Sequence, residues 1–122
     1  MEIEGKTFLI NLSLSIKFPI NSPDYLKGSL LQIVKYVGLT PFENTLIIQP
    51  FLVKGSKSDI SYTGTLVLGE SHFCFHIFPE NNFIRLELSS CKSINEDKLK
   101  QALELFFSPD KIDIESVPWI KS

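Results

Sequence analysis

Hydrophobic and polar residues alternate near the start of the chain with the period of a β-strand. Over residues 7–18 every second position is apolar, and the positions between them are mostly polar. The apolar members of the series are Phe8, Ile10, Leu12, Leu14, Ile16 and Phe18. Because alternate side chains of a strand point to the same face, this pattern predicts a long strand with one buried face.

Two other stretches have the period of an α-helix. The first begins at Ser22-Pro23, which suit the N-cap and the first helical position, and it ends at Gly38, a common C-terminal residue. The second runs from about Asn95 to Phe107. Their apolar stripes are Leu26, Leu30, Ile33, Val34 and Val37, and Leu99, Ala102, Leu103 and Phe106. Apolar residues three and four positions apart predict two helices that each bury one face.

The remaining apolar runs predict further strands, over residues 45–53, 63–70, 72–78 and 83–91. The polar segment 54–59 and the turn 79–82 separate them. Pro50 places the first of these strands at a sheet edge or at its own end. The tail from Ile112 to Trp119 is interpreted as either a short strand or a packing arm, and Pro118 would hold such a strand at an edge.

The order β-α-β-β-β-β-α-β favours hairpins over crossover connections. It predicts an α+β fold, a two-layer α/β sandwich in which two helices cover one face of an antiparallel sheet. We expect a single domain over residues 1–122, a normal size for one domain.

The hairpin of 72–78 and 83–91 carries most of the reactive side chains. With 79–82 as its loop, paired residue numbers sum to 161, so His76 faces Arg85 and Cys91 lies beside Glu70. One face is then apolar, and the other carries His72, Cys74, His76, Arg85, Glu87 and Ser89. His76 follows Ser71 by five residues, about 16 Å along a straight strand. Contact between them would need a bent strand or a second subunit.

Composition excludes several functional classes. A net charge of −2 without a basic block argues against nucleic-acid binding. No apolar run approaches the roughly 18 residues of a membrane span, and the acidic start lacks the regions of a signal peptide. We therefore expect a cytoplasmic protein with reduced thiols and no membrane partner. Two Cys and two His are too few for a four-Cys zinc site, and His72 and His76 would stand about 13 Å apart, so we expect no metal.

The run Gly69-Glu70-Ser71-His72 is followed by His76, by Pro79-Glu80 and by Cys91, twenty residues after the Ser. This combination resembles the short bacterial and archaeal S-adenosylmethionine decarboxylases, pyruvoyl-dependent enzymes of spermidine synthesis. The resemblance is strong over residues 63–91, and elsewhere it extends only to length and order of elements. It implies decarboxylation of S-adenosylmethionine to the aminopropyl donor for spermidine.

The resemblance also implies how the cofactor arises. Ser71 would attack the Glu70 carbonyl in an autocatalytic serinolysis, and elimination and hydrolysis would leave a pyruvoyl group. The chain would become a β fragment, 1–70, and an α fragment, 71–122. The pyruvoyl group would form a Schiff base with the substrate amine and serve as the electron sink for decarboxylation.

Further roles follow from the same resemblance. His76 would be the acid–base of processing, Cys91 would return a proton to the substrate α-carbon, and Thr63 would support processing where the family usually has Ser. The family is a homodimer whose active sites are shared, with the Thr63 and His76 positions crossing between subunits. We therefore expect a homodimer here. Cys74, which faces Glu87 in the predicted register, is interpreted as structural on that ground and not from the resemblance.

Substrate contacts are expected at Phe51, Phe78 and Glu80. The alternatives are core packing for the two Phe residues and a solvated turn for the Glu. Phe78 stands where the family often has Trp or Tyr, and Lys92 stands where Gly is usual. These departures leave open a basic amino acid, ornithine or arginine, as the substrate. A third possibility is a non-catalytic homologous dimer partner, although the joint presence of Ser71, His76 and Cys91 argues against it.

Overall fold

The computed structural model describes residues 3–15, 20–52 and 60–120. The elements follow one another in the predicted order. The strands are β1 (Lys6–Ser13), β2 (Ile47–Leu52), β3 (Ile60–Leu68), β4 (Ser71–Phe78), β5 (Phe83–Ser90) and β6 (Lys111–Pro118). The helices are α1 (Pro23–Tyr36) and α2 (Glu96–Phe107). Short 3₁₀ turns at Glu43–Thr45 and Pro79–Asn81 precede β2 and β5.

The six strands form one antiparallel sheet in the order β2-β3-β4-β5-β1-β6. The predicted two-layer α+β sandwich is therefore confirmed. Every β4–β5 pair sums to 161, as the sequence predicts, and His76 faces Arg85. Pro50 and Pro118 both lie in edge strands, where a missing N–H costs no ladder hydrogen bond.

The core lies between one face of the sheet and the two helices. Alternate residues of the central strands are buried there against the helix stripes. The largest fully buried side chains include Phe73, Phe75, Phe107, Ile10, Leu12, Leu26 and Leu30. Burial of apolar surface on this scale is the main stabilising contribution to the fold.

The prediction that Phe106 belongs to the buried stripe of α2 is wrong. Phe107 is fully buried, whereas Phe106 is only partly buried. Phe106 lies at the seam between the helices, where its ring meets Tyr36 edge-on at 6.5 Å and its carbonyl accepts a hydrogen bond from the Tyr25 hydroxyl. The stripe therefore ends one residue later than the spacing predicts.

Helix ends agree with their sequence signals. The Ser22 hydroxyl accepts a hydrogen bond from the Tyr25 N–H at 3.4 Å, and the Asn95 side chain accepts one from Lys98 at 3.1 Å. Gly38 has a φ of 86°, the left-handed conformation that glycine adopts most readily after a helix.

Several strand boundaries differ from the prediction. β1 ends at Ser13, and although Leu14 is buried beyond it, Ile16 and Phe18 lie outside the described residues. β2 begins two residues late because the 3₁₀ turn occupies Glu43–Thr45, and Val53 is outside the described residues. β3 begins at Ile60 and ends at Leu68, so that residues 69–70 form a turn and not the end of a strand. The tail combines the two predicted alternatives. It forms a strand, and Trp119 packs against the sheet directly after that strand.

Candidate active site

The face of the sheet that points away from the helices, here called the open face, carries the polar side chains of β3, β4 and β5. Strand pairing arranges them in rows across the sheet. One row contains Thr63, His76, Arg85, Asn11 and Asp113. Another, two residues further along each strand, includes Thr65, Cys74 and Glu87. A third includes Val67, His72, Ser89 and Thr7. The hairpin polar face predicted from sequence is thus part of a wider polar surface.

His76 is paired with Thr63 on this surface. The Thr63 hydroxyl lies 3.4 Å from His76 Nδ1, within hydrogen-bond distance. Arg85, on the other side, points instead to the Asn11 side chain at 3.3 Å and to Glu87 at 3.6 Å. The two residues predicted to act together in processing therefore form one unit on adjacent strands.

The Glu70–Ser71 peptide bond lies at the end of the tight turn that joins β3 to β4. Leu68 and Ser71 close this turn as a pair, so only Gly69 and Glu70 are in the loop. The carbonyl oxygen of Glu70 accepts a hydrogen bond from the backbone N–H of Cys91 at 3.0 Å. The predicted neighbourhood of Cys91 and the Glu70–Ser71 bond is confirmed.

Gly69 is not needed here for space. A Cβ at this position would lie 3.5 Å from the Thr40 Cβ, an ordinary contact, and Gly69 does not have a positive φ. Its N–H donates to the Thr40 carbonyl at 2.8 Å, which any residue could do. The turn thus places no steric demand for glycine at this position.

The carboxylate of Glu70 is held by Thr40, a residue that the sequence patterns did not single out. One oxygen accepts from the Thr40 N–H at 2.8 Å and the other from the Thr40 hydroxyl at 3.0 Å. Partial burial opposes ionisation, but these hydrogen bonds and the charge of Lys92 outweigh it and lower the pKa of Glu70. Lys92 in turn donates to the Gly38 carbonyl at 2.8 Å.

Ser71 is the first residue of β4, and its hydroxyl oxygen lies 3.1 Å from His72 Nδ1. A regular strand would direct these neighbours to opposite faces. The serine hydroxyl nevertheless reaches the open-face histidine because it stands at the very start of the strand.

A partly buried hydrogen-bond group lies next to His72. Its pair partner Ser89 is 4% exposed and shares a hydrogen bond of 2.9 Å with the Thr7 hydroxyl. The indole N–H of Trp119 donates to both hydroxyls, at 3.1 and 3.2 Å. The tail therefore closes over the open face close to the cleavage turn.

The sequence profile of the S-adenosylmethionine decarboxylase family matches residues 6–118. The chain belongs to this family. The crystal structure of the adenosylmethionine decarboxylase from Aquifex aeolicus superposes with a TM-score of 0.64 at 19% sequence identity, over 96% of this chain and 91% of that chain. At this identity the similarity shows the shared fold. Curated protein sequences give no significant match.

The substrate-contact candidates of this decarboxylase-family chain lie mainly on the open face. Phe51 is 60% exposed, so the core interpretation of this residue is wrong. Phe78 is half-buried, and its ring centroid lies 6.0 Å from that of Phe83. Glu80 is exposed in the 3₁₀ turn after β4.

Cys91 is an exposed free thiol beside a cavity of about 530 Å³. The cavity is also lined by Glu4, Lys6, Phe8, Lys92, Ser93 and Ile94. Cys74 is free as well, with its sulfur 3.6 Å from the Thr65 hydroxyl. Glu70 and Ser71 are not among the residues that line this cavity.

Two separate groups of candidate residues result. The cleavage end comprises Glu70, Ser71 and Cys91, and the histidine end comprises Thr63, His76, Phe78 and Phe51. β4 is paired without a break on both sides, so it does not bend to join them. The spacing of about 3.3 Å per residue puts His76 about 16 Å from Ser71.

Within the part of the chain that the structure describes, no three His, Cys, Asp or Glu side chains are grouped as metal ligands. In the same residues, no helix is long and apolar enough to cross a membrane.

Proposed function

We propose that this chain is a pyruvoyl-dependent S-adenosylmethionine decarboxylase, which makes its own cofactor by cleaving the Glu70–Ser71 bond. Its product would be the aminopropyl donor for spermidine synthesis. The observation that carries the proposal is the hydrogen bond from the Cys91 N–H to the Glu70 carbonyl oxygen, 3.0 Å long. It lies on the bond that the mechanism must break, and it brings the proposed proton donor to the same place.

Cleavage begins as an N→O acyl shift. The Ser71 oxygen bonds to the Glu70 carbonyl carbon, negative charge develops on the carbonyl oxygen, and the C–N bond then breaks to leave an ester. A donor already directed at that oxygen stabilises the developing charge, an effect that typically contributes a few kcal/mol. Loss of the Ser71 α-proton then expels the Glu70 carboxylate, and hydrolysis with loss of ammonia leaves the pyruvoyl group.

The residues around the new chain end suit this group. Ser71 stays paired with Ser90 on β5, so the new end would remain in the sheet after cleavage. The pyruvoyl group supplies an electron sink that accepts the electron pair released on decarboxylation. Cys91, exposed beside the cavity, is the side chain that we propose returns a proton to the substrate α-carbon.

The remaining proposed residues must come from a second copy of the chain. His76 is about 16 Å from Ser71, and Phe78 is about 23 Å away, whereas proton transfer needs about 3 Å. If two open faces meet about a two-fold axis, the histidine end of one subunit can lie against the cleavage end of the other. Exposed apolar side chains on this face, Ile47 and Phe51 at 58% and 60%, favour such coverage.

The open face also favours S-adenosylmethionine over a basic amino acid. Phe51, Phe78 and Phe83 offer aromatic rings to a substrate that carries both a flat base and a sulfonium cation. Ornithine has no planar group to stack, and the planar guanidinium of arginine is much smaller than a purine ring. Glu80, exposed at the end of β4, is a candidate partner for the substrate cation.

Intact mass of the purified protein tests the cleavage. We expect fragments 1–70 and 71–122, the second without a normal terminal amine, and an uncut chain for Ser71→Ala. CO₂ release from S-adenosylmethionine, ornithine and arginine, assayed side by side, identifies the substrate. A wild-type chain that decarboxylates without ever being cleaved would refute the pyruvoyl mechanism, and one that does neither would favour the non-catalytic alternative.

Complementation tests the shared site. Ser71→Ala and His76→Ala homodimers should both remain uncut, since each site lacks one of its residues. In a co-expressed heterodimer, one site combines the intact Ser71 of the His76→Ala chain with the intact His76 of its partner, so only that chain should be cleaved. An uncut, verified heterodimer would mean that His76 acts within its own chain.

A further inference from the structure

The cleavage chemistry needs a base for the Ser71 hydroxyl, and His76 of the same chain is not in reach. The imidazole of His72 is in reach, with Nδ1 3.1 Å from the Ser71 oxygen. Serine hydroxyls are weak nucleophiles that require such an adjacent base. Strand pairing on both sides, with Val67 and with Ser89, fixes the backbone of His72.

We propose that His72 is a catalytic residue of the first processing step. In the neutral imidazole with its proton on Nε2, Nδ1 takes the Ser71 proton as the oxygen bonds to the Glu70 carbonyl carbon. The imidazolium then returns that proton to the Ser71 nitrogen as the C–N bond breaks, so the base is regenerated and the products are an ester and a free amine. The proposal rests on the proposed self-cleavage and leaves the later elimination to His76 of the partner subunit.

The carboxylate of Glu70, another acid–base group next to the scissile bond, is already engaged. Both carboxylate oxygens of Glu70 accept hydrogen bonds from Thr40, at 2.8 and 3.0 Å. Its pKa is lowered, which makes it a poorer base than a free carboxylate. His72 therefore has the position and the chemistry that Glu70 lacks.

These groups supply the three functions that the acyl shift needs, a base, a nucleophile and an oxyanion donor. On one side the Cys91 N–H contacts the Glu70 carbonyl oxygen, where negative charge develops. On the other side the hydroxyl that attacks is within hydrogen-bond distance of His72. Base, nucleophile and oxyanion donor are thus provided by one chain, without the partner.

Two substitutions at position 72 separate proton transfer from orientation. His72→Ala removes both, whereas His72→Asn keeps a polar atom near the position of Nδ1 but cannot take a proton. The rate of appearance of the 1–70 fragment is followed by mass after cell-free synthesis. We expect both variants to be at least tenfold slower than wild type, and added imidazole to restore part of the rate to His72→Ala. Val67→Ala, beside His72 on the same face, is the matched control and should process normally.

Hydroxylamine, which cleaves esters but not ordinary amides, locates the blocked step. The His72 variants should resist it at position 70–71, whereas the His76→Ala chain should accumulate an ester there and be cut. The fluorescence of Trp119, the single tryptophan, reports folding because its indole bonds to Ser89, the residue paired with His72.

Three results would overturn the role of His72. The first is processing of His72→Ala at the wild-type rate. The second is processing of His72→Asn at the wild-type rate, which would show that His72 only orients the Ser71 hydroxyl, and the third is a hydroxylamine-sensitive ester in either variant. Absence of cleavage in the wild-type chain would instead refute the proposed function itself.

Discussion

Thr40→Val tests whether the Thr40–Glu70 contact sets the geometry of the cleavage turn. The substitution keeps the side-chain shape and the N–H bond to the carboxylate but removes the hydroxyl bond of 3.0 Å. A hydrogen bond to a charged group contributes up to about 3 kcal/mol, and exposure reduces this to about 1 kcal/mol. If the contact orients the scissile bond, the half-time of processing should rise about fivefold, since 1.4 kcal/mol is a factor of ten.

The assay is the half-time for appearance of the 1–70 fragment at neutral pH. The lowered pKa of Glu70 means that its carboxylate accepts both bonds there, and that the contact weakens only as the pH falls through that lowered value. Thr45→Val is the matched control from the same loop. It loses a hydrogen bond to the Phe42 carbonyl and one from the Val67 N–H, so it should lower the melting temperature without slowing cleavage.

Equal half-times for wild type and Thr40→Val would refute the reasoning. A comparable slowing in Thr45→Val would do so as well, because it would show that loss of stability alone delays cleavage. The Thr40→Ser chain, which keeps the hydroxyl, should process like wild type.

Three further outcomes are expected. Cys91→Ala should still be cleaved, because its backbone N–H remains, but turnover of S-adenosylmethionine should fall at least a hundredfold when CO₂ release is measured; equal loss of cleavage would contradict the division of roles. Gly64→Ala should lower the free energy of unfolding in urea by about 1–3 kcal/mol, because a Cβ there overlaps the Phe75 ring. Gly28→Ala, at an open site in α1, should raise it by about 0.5–1 kcal/mol. Trp119→Phe should lower the free energy of unfolding by about 1–2 kcal/mol, since it leaves the partly buried hydroxyls of Thr7 and Ser89 without the indole donor. Unchanged unfolding would show that these bonds contribute nothing.

The chain's local patterns determined most of the fold. Alternation in β1 and the helical stripes of α1 and α2 predicted which faces are buried, because burial of apolar side chains follows the period of each element. The β4–β5 register followed from the loop at 79–82, since a one-residue slip would have turned Phe73 and Phe75 to solvent. That register alone placed Cys91 beside Glu70.

Only the tertiary structure decided what surrounds the reactive residues. Thr40 reaches Glu70 across 30 positions of sequence, and Trp119 reaches Ser89 across 30. The spacing of apolar residues along the sequence does not predict such contacts, because they depend on how separate loops and the tail pack. The sequence pattern also did not predict the 3.1 Å distance between the Ser71 hydroxyl and His72, because neighbouring residues of a strand point to opposite faces. The hydroxyl reaches the imidazole because Ser71 begins β4 directly after a two-residue turn.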